Sequence, residues 1–481
     1  MLITIKKRNI AKVFSVLMIS SVVITGCTSN TASANKNETT EAINTESTES
    51  QKKNDNGMVY YICMMEKYHI YDTSDFAENY SHGVEYSEGL DNWAELNYKD
   101  AERKILSIKE EIDEKGAAFP EDIAFINQAL GCLYIDMAKY SEAYDLLLDS
   151  YVLFEKQYGS KSPYTICSEA NMCHYYYAVG DYDRCLLEKQ KILDNNENVT
   201  EYSNYFKLTL NDIEACIAKD RGEIVNSYNK YNENLKICME IMEKNDETPM
   251  FIKSFFIKTL ESLGDTSYQL DSAKYTESSI KFYDLAIQNL DKIQDTGKYS
   301  DSYRSCLVIK KEMLSQESEE SAKKISDAIK KLEDIYEADD SYPVLIEPFL
   351  LYSELLGFVT GNETEAINYY EKAHKIAEKA YGYNHPLNGK IFESEGRYYS
   401  NKIHDNETAL NKSQQGLEIC KNLLIENSRL AASLYISLAG EYKALGDDKK
   451  SEEYLEKGKD VLEKLGSRFL TQDEIKEASQ N

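Results

Sequence analysis

Glycine and proline are scarce in this sequence, with 21 and 6 of 481 residues. Folds built from short strands and tight turns need both residues in larger numbers. No stretch shows the alternation of apolar and polar residues that is typical of a half-buried strand. These absences exclude an all-β fold and favour an all-α chain.

Motifs of catalytic and metal chemistry are also missing. The sequence contains no nucleophile elbow, phosphate-binding loop, zinc-protease helix or paired C-x-x-C. The six histidines are dispersed, and the closest approach to a metal-binding set has no fixed ligand spacing. That set is His69, Asp72, Asp75, Glu78 and His82. We therefore predict no enzyme activity, no cofactor and no metal, and interpret this set as a polar surface segment.

Positive charge is in short supply, since the formal net charge is −28. An anionic body is repelled by nucleic acid and by anionic lipid. We therefore expect no nucleic-acid partner, and a protein or peptide partner that is basic or neutral. Solubility alone is the alternative explanation of the charge. Cysteine is too sparse for a disulfide scaffold, because ten residues are scattered along the chain and nine remain once Cys27 is set aside.

The N-terminal 26 residues read as a targeting segment. Four positive residues precede an apolar run that is short for a membrane span. The run ends in Ile24-Thr25-Gly26-Cys27, which resembles the bacterial lipoprotein signal. The resemblance implies removal of residues 1–26 and acylation of Cys27, and hence a cell-membrane location on the extracytoplasmic face. An ordinary N-terminal anchor helix is the alternative.

Residues 27–57 are predicted to form a tether. Asn, Thr, Ser, Glu and Lys dominate this stretch, and such a composition cannot bury enough apolar surface to fold. As a flexible coil it would span roughly 30 Å. The tether would hold a folded body clear of the lipid headgroups.

A helical hairpin over residues 129–163 is the clearest pattern in the sequence. Leu130, Gly131 and Tyr134 lie on one predicted helix, and Ala143 and Leu147 on the next. The small residues Gly131 and Ala143 allow the two helices to cross closely. The pattern resembles the tetratricopeptide repeat (TPR).

Small residues at the position of Ala143 recur with a step near 42 residues. They are Ala101, Ala143, Cys185, Ser227, Ser278, Ser321, Ala366, Ala409 and Ser451. The turn Tyr381-Gly382-x-x-His385-Pro386 resembles that of the long repeats in kinesin light chains. The resemblance implies a right-handed TPR-like superhelical solenoid of about nine helical hairpins over residues 90–466. Residues 58–89 and 467–481 are predicted to cap its ends.

Candidate binding residues follow from the resemblance, because TPR proteins line their concave face with the first helix of each hairpin. The equivalent positions here are Gln128, Ile135, Asp136, His174, Tyr177, Leu355 and Phe358. The 38 tyrosines suit either helix packing or a recognition groove.

The resemblance favours a membrane-anchored scaffold that binds a peptide or protein. The alternative is a carbohydrate-binding surface lipoprotein, which would rely on tryptophan stacking. The sequence has one tryptophan, Trp93, and this argues against the alternative.

Overall fold

The computed structural model describes residues 83–94, 96–116, 120–195, 203–244, 250–292, 298–315 and 319–466. Several predictions from the sequence lie outside these residues. They are the signal segment 1–26, Cys27 and the tether, the cluster from His69 to His82, most of the 58–89 cap and the segment 467–481.

Eighteen α-helices make up the described part of the chain, which contains no β-strand. They are α1 (Gly83–Ala94), α2 (Tyr98–Lys115), α3 (Pro120–Asp136), α4 (Tyr140–Tyr158), α5 (Pro163–Ala178), α6 (Tyr182–Asn195), α7 (Ser203–Asp220), α8 (Ile224–Lys244), α9 (Met250–Leu270), α10 (Ser272–Leu290), α11 (Lys298–Leu314), α12 (Glu319–Ala338), α13 (Ile346–Glu354), α14 (Glu363–Tyr381), α15 (Pro386–Tyr398), α16 (Asn406–Asn422), α17 (Arg429–Ala444) and α18 (Asp448–Lys464). The all-α prediction is confirmed. Among these helices, none combines the length and the apolar content needed to cross a bilayer.

The helices pair into hairpins, each formed by an odd-numbered first helix and an even-numbered second helix. Most consecutive helices pack against each other, as in α3 with α4 and α17 with α18. First helices of successive hairpins also contact directly, for example α11 with α13 and α15 with α17. The predicted stack of about nine hairpins is confirmed.

The close crossing predicted between Gly131 and Ala143 is present. A Cβ atom added to Gly131 would lie 2.7 Å from Leu147 Cγ and 3.3 Å from the Ala143 carbonyl oxygen. Ala143 and Leu147 are themselves fully buried. A larger residue at either crossing position would therefore force the helices apart.

Most of the recurring small residues occupy the predicted buried position. Seven are buried: Ala101, Ala143, Cys185, Ser227, Ser321, Ala366 and Ala409. In α10 the alignment is wrong by one residue, because Ser279 is buried and Ser278 only half-buried. Ser451 is half-buried because α18 has no later described helix to cover it.

In two of the turns between hairpins, a glycine and a proline occur four residues apart. Gly159 and Gly382 follow the second helices α4 and α14 with φ of 83° and 88°. These values lie in the region that a side chain disfavours. Four residues later, Pro163 and Pro386 begin the next first helix, where the missing N–H of proline leaves no hydrogen bond unmade.

The helices form two compact units. Among the described residues, the N-terminal unit includes those from 83 to 178 and from 183 to 213, and the C-terminal unit includes those from 179 to 182 and from 214 to 466. Within the C-terminal unit, helices distant in sequence meet: Arg221 Nε, after α7, donates a 2.7 Å hydrogen bond to the carbonyl oxygen of Leu465, after α18.

Candidate functional site

Buried charge is confined to the first helices. Ten Asp, Glu and Lys side chains are buried in the described residues, and all ten belong to odd-numbered helices. They are Asp122, Asp220, Asp265, Lys310, Glu312, Glu354, Lys390, Glu393, Glu395 and Glu441. In the second helices, the buried polar residues that the structure describes are serines and Asn234.

Exposed apolar side chains show the opposite distribution. Every large one that lies within a described helix belongs to a second helix. These are Leu148, Val152, Tyr158, Leu187, Val225, Met239 and Leu285. Within each unit we call the first helices, which contain the buried charges, the inner layer, and the second helices, which contain the exposed apolar side chains, the outer layer.

Lys310 lies at the centre of a four-charge cluster in the C-terminal unit. Its Nζ lies 2.5 Å from Glu261 Oε1 and 2.9 Å from Glu347 Oε1. Asp265 Oδ2 is 3.5 Å away and completes the set. Burial alone would lower the pKa of Lys310, but the three carboxylates raise it well above its usual value, so the ammonium stays charged.

The same place contains a set of potential metal ligands. One ligand atom each from Glu261, Cys306 and Glu347 lies within 4.8 Å of the others. The Lys310 ammonium is already paired with both carboxylates. The Lys310 ammonium therefore already supplies the positive charge that a metal ion would supply. We interpret Glu261 and Glu347 as partners of Lys310.

A hydrogen bond between successive first helices recurs at one-repeat spacing. Ser168 Oγ of α5 donates to Gln128 Oε1 of α3 over 2.5 Å. Ser433 Oγ of α17 donates to Glu393 Oε1 of α15 over 2.8 Å, and Ser394 of α15 donates to Glu354 of α13. Each pair is separated by 40 residues. We name these three pairs the serine ladder.

The predicted residues of α3 contribute to packing. Gln128 is 5% exposed and belongs to the serine ladder, and Ile135 is equally buried. Asp136 is half-buried, and its Oδ2 accepts a 2.9 Å hydrogen bond from Trp93 Nε1. Trp93 itself is buried.

His174 and Tyr177 are brought together on α5. Both are half-buried, and their rings stack with centroids 6.5 Å apart and an interplanar angle of 16°. Tyr176, between them in sequence, is buried. Of the predicted residues in the N-terminal unit, this pair and Asp136 are the ones that are not buried.

Leu355 and Phe358 lie in a π-helical turn, Leu355–Thr360, that continues α13. Leu355 is buried. Phe358 is half-buried, and its ring meets that of Tyr398 edge-on at 5.6 Å. A role in binding stays a prediction for all seven residues.

Sequence reasoning missed the buried charges. Aligning the first helices by the repeat would have placed an acid or amide and a serine 40 residues apart three times. The partners of Lys310 carried no such signal, because Glu261, Asp265 and Glu347 do not share one spacing from it.

A tetratricopeptide-repeat family model matches residues 358–387. This stretch contains α14 with Ala366 buried at its crossing position, and the glycine–proline turn before α15. The chain carries a tetratricopeptide repeat. The predicted resemblance is confirmed there, and the stacked hairpins extend the architecture through the other described helices.

Solved structures with similar folds include three helical-repeat proteins. BtubC (BKLC) from P. vanneervenii is 12% identical, with 52% of this chain and 94% of that chain covered and a TM-score of 0.36. A Rap protein complexed with competence and sporulation factor is 11% identical, with 80% and 98% covered and a TM-score of 0.46. A monomeric IFIT1 variant with m7Gppp-AAAA is 16% identical, with 85% and 95% covered and a TM-score of 0.31. No curated protein sequence matches the chain.

Proposed function

We propose that this chain is a non-catalytic scaffold that binds a peptide or protein segment along the inner layer of its first helices. The observation that carries the proposal is the confinement of all ten described buried charges to those helices. The second helices bury their inward faces without charged residues. Hairpin packing alone therefore does not require buried charges.

Buried charge is costly to a fold unless it is paired or used. A row of paired acids, bases and serines offers a peptide the directional contacts that a purely apolar layer lacks. Half-buried aromatic residues such as His174, Tyr177 and Phe358 add amphipathic contact area beside it. The inner layer therefore suits an extended polar ligand.

The partner is proposed to be basic or neutral, because the chain carries a net charge of −28. Its binding should weaken as salt screens that attraction. A carbohydrate ligand fits less well, since Trp93 is buried and its indole N–H is bonded to Asp136. Stacking on a sugar ring would require that residue to be exposed.

The location of the scaffold is proposed from its N-terminal sequence. The segment ending in Ile24-Thr25-Gly26-Cys27 supports lipid anchoring through Cys27 on the extracytoplasmic face of the cell membrane. Removal of the four positive residues of the segment would leave a net charge near −32. Such a charge would keep the folded body away from the anionic lipid surface.

Site-specific photocrosslinking on intact cells tests this function. A benzoylphenylalanine residue would replace Tyr177 on the first helix α5, and in a control chain Leu187 on the second helix α6. Leu187 is 56% exposed and belongs to the outer layer. We expect one protein or peptide adduct from position 177 that is missing from position 187. Identical adducts at both positions, or none at position 177, would contradict inner-layer binding there.

A further inference from the structure

Lys390 differs from Lys310 and Arg397, two other bases of the C-terminal unit. It is 5% exposed, and within the described residues its ammonium forms no hydrogen bond and no ion pair within 4.0 Å. By contrast, Lys310 contacts three carboxylates, and Arg397 Nε lies 3.1 Å from Glu393 Oε1. An unpaired ammonium is unexpected in a chain where acids outnumber bases 83 to 55.

The surroundings of Lys390 come from three first helices. Glu347 and Glu354 of α13 and Glu393 of its own helix attract its charge from beyond contact distance, whereas Lys219 of α7 repels it. Burial is the main influence and lowers the pKa of Lys390 to about 8. The residue is therefore held in a costly environment that its neighbours do not fully relieve.

Asp220, the next residue after Lys219, is also incompletely bonded. Tyr182 donates to one carboxylate oxygen, Oδ2, while the buried Oδ1 has no hydrogen-bond partner. Lys219, Lys390 and Arg429 all act electrostatically on this carboxyl group. Three bases thus act on the same buried carboxyl group, and of these three the Lys390 side chain is the buried one.

We propose that Lys390 binds a carboxylate group of the ligand within the inner layer of the C-terminal unit. A carboxylate would provide the ion pair that the described residues do not supply. A single negative charge fits better than a dianion, because Glu347, Glu354 and Glu393 stand nearby. The assignment of that carboxylate to a peptide rests on the proposed function, whereas the carboxylate site does not.

Competitive lysine labelling of the purified full-length chain tests the site. Trace N-hydroxysuccinimidyl acetate would be applied at pH 8, with labelling at Lys390 and at the exposed Lys421 of α16 quantified by mass spectrometry. The probes are N-acetyl-dialanine, its C-terminal amide, sodium acetate and sodium phosphate, each against chloride at equal ionic strength. We expect the two carboxylates to slow labelling of Lys390 severalfold and to leave Lys421 unchanged.

Each other outcome is decisive. Equal protection by the amide and the acid, protection only by phosphate, or no protection of Lys390 would overturn the carboxylate site. Protection by carboxylates together with a failed crosslink at Tyr177 would count against the proposed peptide scaffold and leave the site standing. A crosslink at position 177 without protection of Lys390 would support the peptide scaffold and overturn the carboxylate site.

The variant Lys390→Met supplies an independent readout. Because it removes an unpaired buried charge, we expect its melting temperature to rise by several degrees in the absence of probe. The stabilisation of the wild-type chain by N-acetyl-dialanine should disappear. A lower melting temperature, or failure to fold, would show that Lys390 is a structural partner and would overturn the proposal.

Discussion

The ammonium of Lys310 lies 2.5 Å from Glu261 Oε1, and this contact joins the first helices α11 and α9 of successive hairpins. Glu347 on α13 extends the connection to a third hairpin. A single buried base therefore holds three repeats together, in a fold whose stability otherwise comes from contacts between neighbours.

Loss of this base should be strongly destabilising. Lys310→Met leaves three acids without their cation, and we expect a cost of about 3 to 5 kcal/mol in the free energy of unfolding. Urea denaturation measures it. The matched control is Arg304→Met on the same helix, whose 2.8 Å pair with Asp291 is exposed and is worth about 0 to 1 kcal/mol. Comparable losses from both variants would contradict the central role of Lys310.

The helix crossing at Ala143 provides a second prediction. Ala143→Leu places a large side chain where the backbone of α3 already approaches, and should cost about 1 to 3 kcal/mol or more through overpacking. Glu142→Leu on the same helix changes an exposed position and should have much less effect. Thermal melting of the two variants decides between them, and equal shifts would mean that the crossing tolerates bulk.

Stability should depend on pH through Glu441. Burial raises the pKa of Glu441 to about 7. The hydrogen bond that Ser413 donates to Glu441 lowers this pKa, but its effect is smaller than that of burial. The folded chain then keeps a proton that the unfolded chain loses near the ordinary value of 4.5. Between these pKa values the folded state binds more protons, so its stability falls as pH rises and stays lower above pH 7.

Glu441→Gln removes this titration and keeps an oxygen that can accept from Ser413. We expect the variant to be more stable than the wild type at pH 8, by an amount on the order of 3 kcal/mol, and closer to it at pH 5. Urea unfolding at both pH values measures the difference. Glu452→Gln at an exposed site of α18 is the control. A constant difference between pH 5 and pH 8 would exclude Glu441 as the titrating group.

Lipid anchoring depends on one residue. Cys27→Ser removes the thiol that would carry the diacylglycerol group, so the precursor should remain uncleaved and unacylated. Metabolic labelling with a clickable fatty acid reads this out directly. Label that persists on the variant would rule out acylation at Cys27.

Tyr177 should contribute to affinity rather than to stability. Tyr177→Ala removes a half-buried aromatic residue and should cost about 2 kcal/mol of binding free energy if the residue is a hot spot. Tyr176→Ala removes a buried side chain and should mainly affect stability. We expect it to lower the free energy of unfolding by about 3 to 5 kcal/mol, and the melting temperature with it. Titration with the crosslinked partner and thermal melting separate the two. The reversed pattern would place Tyr177 in the core.

The architecture was predictable because it depends on local chemistry. Ala143 and Gly131 identify a crossing, and Gly159 with Pro163 identify the turn that follows, all from spacing along one hairpin. The error at Ser278 has a simple origin, since serine occurs at both 278 and 279 and either residue fits a small-residue pattern.

The inner layer was less predictable because its contacts join residues from different hairpins. The motif offsets do not show that Gln128 would pair with Ser168, or that Ile135 and Leu355 would be buried. Whether Lys310 or Lys390 finds an acid depends on which side chains the neighbouring first helices bring close. Such pairings depend on the packing of the whole unit.

The hydrogen bond from Arg221 to Leu465 spans 244 residues of sequence. An open stack of hairpins tolerates insertion or loss of a repeat, because each unit touches only its neighbours. A stack whose distant helices meet has a fixed number of units, since one hairpin more or fewer would separate Arg221 from its acceptor. The contact also cannot form until α18 and Leu465 have been synthesised, so the C-terminal unit completes its fold only after α18 has emerged from the ribosome.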